Sequence, residues 1–424
     1  MLTAIANAFR VPDLRKKILF TLAILALYRL GTHIPVPGVP FRALAEQFAE
    51  QGGTMAMLNL FSGGALEQFS VFSLGIMPYI TASIIMQLLQ GVIPQLEAWA
   101  KEGEAGQKKI TQITRYLTLV LGFFNAVGYL ALFRSSIPFA EGAGAPPMWL
   151  TNVVIVVTLM AGTAFIMWLG ELITQRGIGN GMSLIIFANI VAQFPQVLFS
   201  TINFSAQGAI TAIVSILVMI VVIAAIVFIE RGQRRIPVNY AKRVVGRRVM
   251  GGQSTYIPLK VNGAGVVPII FASALLYFPA QISAFFPNIK WLQSFGDALA
   301  SGTWNWIMTF ILIVFFAYFY TAMVFNPVDT ADNLRKNGGF IPGVRPGSNT
   351  VRYIEKVLSR ITLPGAIFLA TIAIVPSIVF TLTGNTMAQA FGGTSILIMV
   401  GVALETMTQI ESQLKMRHYD GIFK

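Results

Sequence analysis

Apolar residues run in long unbroken stretches, and the polar residues collect in the gaps between them. A helix rises about 1.5 Å per residue, so about 20 apolar residues cross a hydrocarbon core about 30 Å thick. Trp149–Leu169, Ile210–Ile229, Val266–Phe286, Trp304–Phe325 and Ile361–Thr383 reach that length without a charge. Tyr116–Phe133 and Met182–Phe199 are slightly shorter and equally uncharged. Ile18–Ile34 carries Arg29 and His33 near its end, where a long cation snorkels toward the surface. Phe69–Ile93 holds Pro78 among polar side chains, and Phe391–Met407 contains Glu405. The pattern predicts an all-α polytopic membrane protein with ten transmembrane helices. Arg15, Lys16 and Lys17 lead into the first stretch without a small-residue cleavage site, so that helix is expected to be retained.

The gaps decide orientation. Of 30 Lys and Arg, 26 fall at the N-terminus, in the even loops or in the tail. Only Arg42, Arg134 and Lys290 lie in odd loops, and Arg29 lies inside the first span. The positive-inside rule then predicts both termini in the cytoplasm. Most of the net charge of +13 is explained by topology, but the basic stretches 230–264 and 326–362 exceed what orientation needs. Long, basic, Gly- and Pro-punctuated loops suit an anionic partner such as RNA, an acidic protein or lipid headgroups.

Composition narrows the chemistry. Charged residues make up 11% of the chain, against roughly 25% in soluble domains, which excludes a soluble enzyme. There is no Cys, and His33 and His418 are the only histidines, so no thiolate metal site, cysteine nucleophile or histidine cluster is available. No P-loop and no H-E-x-x-H occur, and Gly177-Ile178-Gly179-Asn180-Gly181 lacks dinucleotide spacing. Glu171, Glu230 and Glu405 sit near span ends, whereas ion-coupled carriers display ionisable groups at mid-membrane. A passive or externally driven pore, with no cofactor and no catalysis, is favoured. A small-solute carrier and an intramembrane hydrolase are the alternatives.

Three irregularities bear on a pore. The glycine-broken stretch Phe61-Ser62-Gly63-Gly64-Ala65-Leu66 before the second span is too short to cross, and reads as a re-entrant segment or an interfacial loop. Ile76 and Ile80, and likewise Met182 and Ile186, stand four apart on one helix face. Such pairs are ordinary packing unless the two faces meet at a constriction that gates by excluding water. Ten spans split into five and five near Phe204–Gly208, and an odd-span unit repeated once must be inverted.

Longer motifs carry a resemblance. FSGGAL at 61–66, GIMPYITAS at 75–83, WLGELITQRGIGNG at 168–181, ERGQRRIPVNYAKR at 230–243, QSTYIPLKVN at 253–262 and FNPVDTADNLRKNGGFIPGVRPG at 325–347 stand in family order. On these the chain resembles the SecY family of protein-translocation channels over essentially its whole length. The resemblance implies two inverted five-helix halves, 1–204 and 205–424, forming a clamshell around an hourglass pore. It implies a short plug helix over about Asn59–Phe72, including Phe61, Ser62, Gly63, Gly64, Ala65 and Leu66. It implies a waist ring of Ile76, Ile80, Met182, Ile186, Ile270 and Ile398, where the family commonly has isoleucine in place of Met182. A gate opening sideways between the second and seventh spans would release signal sequences and membrane helices into lipid. Thr81, Ser83, Gln87 and Asn262 are candidates for its polar latch. Arg234, Arg235, Lys242, Arg243 and Arg345 become candidate docking residues for a ribosome or the SecA ATPase. SecE and SecG subunits, unfolded preprotein, signal peptides and anionic lipids are the other implied partners, in the cytoplasmic (inner) membrane of a bacterium.

Overall fold

The computed structural model describes residues 8–37, 39, 59, 62–132, 147–201, 206–240, 243–245, 248–250, 254–286, 289–300, 302–382 and 392–420. Helices lie on all ten apolar stretches: α1 (Pro12–Gly31), α2 (Met77–Gln90), α4 (Glu104–Leu132), α5 (Met148–Arg176), α6 (Gly181–Thr201), α7 (Ala206–Glu230), α8 (Val267–Phe285), α10 (Thr303–Val324), α12 (Ser348–Leu382) and α13 (Gly393–Asp420). Three shorter helices, α3 (Pro94–Lys101), α9 (Lys290–Ala300) and α11 (Pro327–Lys336), connect them. Six helices among the described residues are long and apolar enough to cross a membrane, and α2 with α3 forms a pair bent by 98°. Proline within the first two positions starts α1, α2, α3, α8 and α11, where its missing N–H has no intrahelical acceptor to lose.

The second span departs from the expected boundaries. It begins at Met77 rather than Phe69, because Phe69 (φ 40°) and Gly75 (φ 56°) adopt left-handed conformations that a helix cannot contain. Its 14 residues extend only about 21 Å. The preceding turns are buried in protein, the condition under which irregular backbone is tolerated at membrane depth.

A single large apolar core draws on α1, α2, α4, α5, α6, α7, α8, α10, α12 and α13. Outward-facing Ile213, Leu217, Ile220, Val221 and Phe228 of α7 are exposed, as lipid contact requires. On the other side of the chain's charge asymmetry lies a second, smaller unit that the helical periodicity did not predict. Strand β1 (Gln233–Tyr240) pairs antiparallel with β4 (Ser254–Lys260) in the register Ile236↔Ile257, and with β5 (Gly339–Phe340) on its other edge. The short strands β2 (Arg243–Val245) and β3 (Arg248–Met250) pair antiparallel as a separate two-stranded sheet. Ile236, Val238, Leu259, Leu334, Ile341 and Ile354 close a core beneath this sheet. The two basic stretches, expected as separate loops, therefore fold together.

Close helix packing rests on particular glycines. A Cβ at Gly162 of α5 would overlap the Val71 carbonyl, whereas a Cβ at Gly122 of α4 would meet only Thr163 Cγ2 at 3.7 Å. Gly162→Ala should lower unfolding stability by about 1–3 kcal/mol through overpacking. Gly122→Ala should raise it by about 0.5–1 kcal/mol by removing helix-interior glycine. Thermal unfolding of both variants in detergent checks the contrast.

Candidate functional site

Four helix starts contribute the expected ring residues to the large apolar core. Ile76 caps α2 and Ile80 lies in its first turn. Met182 and Ile186 stand in the first two turns of α6, Ile270 in the first turn of α8, and Ile398 in the second turn of α13. Ile76, Ile80, Ile186, Ile270 and Ile398 are all between 0% and 6% exposed and share one cluster. Met182 is half-buried at the margin, because its sulfur packs onto Gly170 of α5. Buried to this degree, none of the five isoleucines lines a water-accessible opening.

The helix starts also match in sequence. Gly75-Ile76-Met77-Pro78-Tyr79-Ile80 leads into α2, and Gly265-Val266-Val267-Pro268-Ile269-Ile270 leads into α8. Both glycines have positive φ, 56° and 65°, and both caps are nearly the same: Ile76 at φ −93°, ψ −4° and Val266 at φ −87°, ψ −16°. Similarly, Gly181-Met182-Ser183-Leu184-Ile185-Ile186 opens α6, and Gly393-Thr394-Ser395-Ile396-Leu397-Ile398 opens α13. The second and seventh spans thus pair, as do the fifth and tenth. A search for Gly-x-x-Pro-x-Ile and Gly-x-Ser-x-x-Ile would have found this repeat in the sequence.

Beside this collar sits the glycine-broken segment. Asn59 and Ser62 are helical, but the expected helix does not continue: residues 63–69 and 71–76 form successive turns, since Gly63 (φ 71°) and Gly64 (φ 84°) interrupt helical geometry at once. Ala65, Leu66 and Phe69 are fully buried in the same core as the collar. Polar contacts fasten the turn from two sides. Arg29 Nη1 of α1 donates to the Gly63 carbonyl at 2.6 Å, and Gln193 Nε2 of α6 donates to the Asn59 carbonyl at 2.8 Å. Asn59 and Glu67 close the loop on itself with two hydrogen bonds of 3.0 and 3.2 Å. Arg29 therefore points inward, not to the surface as expected of a snorkelling cation. A charge-assisted hydrogen bond contributes about 1.5–3 kcal/mol. Burying one leucine contributes about 1.5–3 kcal/mol, so neither contact alone holds the segment. The chain that follows is pinned harder. Val36 N–H donates to Phe69 O at 3.0 Å, Val71 N–H donates to Ile34 O at 2.9 Å, and Phe72 stacks on Tyr28 at 5.5 Å. Phe61 lies outside the described residues.

The four polar residues considered as a latch do not bond to one another across the α2–α8 seam. Thr81 donates to Met77 O within α2, Gln87 reaches Ser83 one turn back at 3.4 Å, and Asn262 donates to Glu230 Oε2 at 2.8 Å and Gly265 O at 3.0 Å. Hydroxyls and amides facing their own helix find the nearest carbonyl first. Across the α4–α8 seam, by contrast, the Tyr129 and Tyr277 hydroxyls lie 2.9 Å apart.

Arg234 and Arg235 stand exposed on β1, and the Arg235 guanidinium lies 4.7 Å from the Tyr256 ring centroid on β4. Arg243 begins β2, while Lys242 lies outside the described residues. Arg345 is exposed in a turn with Gly343 (φ 80°) and Gly347 (φ 104°) on either side, and its carbonyl accepts from Thr350 Oγ1 at 3.1 Å. Between this unit and the collar, a cavity of about 440 Å³ is lined by Glu230, Lys260, Asn262, Tyr320, Glu405 and Glu411, among others. Among the described residues no cluster of His, Cys, Asp or Glu has a metal-binding arrangement.

A family model described as SecY matches residues 70–407. The chain is 53% identical over 437 residues to the protein translocase subunit SecY of Streptomyces coelicolor, covering 100% of both chains. Its fold is similar to a SecY structure whose plug domain is described as stabilising the closed translocation channel and maintaining a membrane seal. That match has a TM-score of 0.64 at 19% identity, covering 93% of this chain and 91% of that one. Sec61 in a canine ribosome–channel complex from the endoplasmic reticulum matches with a TM-score of 0.61 at 18% identity, over 93% and 91% of the two chains. Identities this low speak for the fold alone; the family rests on the full-length relative and on the model match, and on both grounds the chain belongs to the SecY family.

Proposed function

We propose that this protein is the channel subunit of a protein translocase, passing unfolded polypeptide through the collar formed by α2, α6, α8 and α13. The observation that carries this reading is the convergence of Ile76, Ile80, Ile186, Ile270 and Ile398 from four helix starts into one dry cluster. Isoleucine supplies bulk without hydrogen bonds that would retain a passing peptide, and an uncharged ring does not sort substrates by sign. Met182 belongs to the margin of that ring. The matched starts of α2 with α8 and of α6 with α13 support two inverted halves, 1–204 and 205–424. Family membership supports an externally driven channel over a carrier or a hydrolase.

In this reading residues 59–72 are the plug, seated on the collar by Ala65 and Leu66 and fastened by Arg29 and Gln193. Its polar fastening suits a stopper that must leave and return. The joined basic unit, with Arg234, Arg235 and Arg345 exposed on it and Arg243 opening β2, serves as the docking platform for SecA or a translating ribosome on the cytoplasmic side. SecE and SecG complete the complex in the bacterial inner membrane, with both termini in the cytoplasm. Membrane helices leave sideways because central Leu, Ile, Phe or Val each favours the bilayer by about 0.3–0.6 kcal/mol.

The natural chain has no cysteine, so one placed as Ile80→Cys is unique. A stalled secretory chain carrying one Cys should crosslink to it in the active complex; an active complex giving no crosslink rejects the collar as the path. Arg29→Met should raise ion conductance of the resting reconstituted channel by about tenfold or more, the ratio given by about 1.5–3 kcal/mol. Arg345→Glu should cut partner-driven export by about tenfold, measured against reporter secretion, while leaving resting conductance unchanged.

A further inference from the structure

The short helix α9 (Lys290–Ala300), between the spans α8 and α10, has a face that neither the core nor the channel reading uses. Helical periodicity gathers Trp291, Leu292, Phe295, Gly296, Ala298 and Leu299 into one apolar sector and leaves Lys290, Gln293 and Ser294 to the remaining arc. The apolar sector is itself divided. α9 packs against both α8 and α10, and Gly296 and Leu299 are buried. Trp291 and Phe295, one turn apart on the other edge of the sector, are 72% and 51% exposed. The surroundings say what covers that edge. Only two residues separate α9 from α10, so the start of that span lies within about 11 Å of the end of α9. Trp149 in the first turn of α5 and Trp304 in the first turn of α10 are 66% and 64% exposed; with Trp291 they are the three most exposed tryptophans among the described residues. Both of those spans begin after odd loops, and α9 lies in one. Tryptophan collects at the headgroup level of a bilayer, where one end of its ring is apolar and the other wet. Exposed apolar side chains also continue onto the neighbouring spans, through Phe278 on α8 and through Ile307, Ile311 and Phe315 along one face of α10.

We propose that α9 lies flat in the outer-leaflet interface of the bilayer, with Trp291 and Phe295 seated in lipid and Lys290, Gln293 and Ser294 facing the headgroup water. This inference rests on the orientation reading above, which puts the gap between α8 and α10 outside the cell. At 11 residues α9 is about 16 Å long, too short to cross a membrane and long enough to lie along one. The apolar face of an interfacial helix sinks about 5–10 Å into the boundary between headgroups and acyl chains, which covers an exposed tryptophan and phenylalanine. Charge does little here. Lys290 is the one Lys or Arg between Lys260 and Arg335, so the seat depends on apolar burial and not on anionic headgroups. Lipid on one edge and protein on the other tie the outer end of α8 and the start of α10 to a fixed depth.

The test uses the full chain assembled with cysteine-free partner subunits and reconstituted into phosphatidylcholine vesicles. The natural chain has no cysteine, so Phe295→Cys and Gln293→Cys each offer a single site for a nitroxide label. Collisions of the label with oxygen, which concentrates in the bilayer, are compared with collisions with a water-soluble nickel complex, which the bilayer excludes. The oxygen-to-nickel ratio should be several-fold higher at 295 than at 293, and the same whether or not anionic lipid is added. Trp291→Gln in the Phe295→Cys chain should lower the ratio at 295 several-fold. A label at 295 that meets nickel as often as one at 293 overturns the proposal, because the face is then open to water. A label at 295 shielded from both reagents also overturns it, because a second copy or a partner subunit then covers the helix. Where Phe295→Cys assembles poorly, Ala298→Cys on the same edge decides by the same ratio. In intact cells Gln293→Cys should react with a membrane-impermeant thiol reagent added outside. Reaction from the cytoplasmic face alone rejects the orientation reading, and the outer leaflet with it, whatever the ratio.

Discussion

Five buried isoleucines from four helix starts lie in the large apolar core, and in the channel reading proposed above they bear a double constraint, packing the core and closing the passage. An ordinary core is packed once and stays packed at crystal-like density. This one must part when a polypeptide arrives and then close dry again. Aliphatic side chains suit that cycle, because their attraction is non-directional and re-forms without a required geometry. The directional contacts are accordingly kept beside the collar. Arg29 with Gly63 and Gln193 with Asn59 fasten the glycine-broken turn, and Tyr129 with Tyr277 bridges a seam. Each is a contact of a few kcal/mol or less, so each can be lost without unfolding the helices it joins.

The small basic unit is tied structurally to the large helical core. β1 lies between β4 and β5, so the stretch after α7 and the stretch after α10 share one small core. α12 contributes Ile354 to that core and Leu369, Ala370, Ile372 and Ala373 to the large one. A continuous helix of 35 residues, about 52 Å long, thus links the basic surface to the membrane-spanning body. Its proline at 364 lies between the two regions, where a helix bends most readily.

The proposed collar positions were carried by resemblance onto Ile76, Ile80, Met182, Ile186, Ile270 and Ile398; all but Met182 are buried in the large core, and Met182 packs against it. Inverted halves were expected from span parity and from the resemblance, and Gly-x-x-Pro-x-Ile at 75–80 and 265–270 is a further internal sign of a repeat. That repeat is short, and its meaning depends on seeing both glycines at positive φ before a helix start. Arg29 was misjudged because a cation near a span end has two outlets, lipid headgroups or an inward carbonyl. For the latch candidates no partner was legible in the sequence, because a polar side chain on a helix does not announce whether it faces its own backbone or a neighbour.

The sequence by itself determined the apolar helical stretches, the uneven distribution of basic residues among the gaps and the family. All of these follow from how each residue type partitions between water and hydrocarbon, which is a property of the residue and its near neighbours. Only the tertiary structure decided that the glycine-broken stretch is a set of turns, that two basic loops make one sheet, and that Tyr129 meets Tyr277. Those outcomes depend on which helix faces come together, and a bond between residues 148 positions apart leaves no periodic trace in the chain.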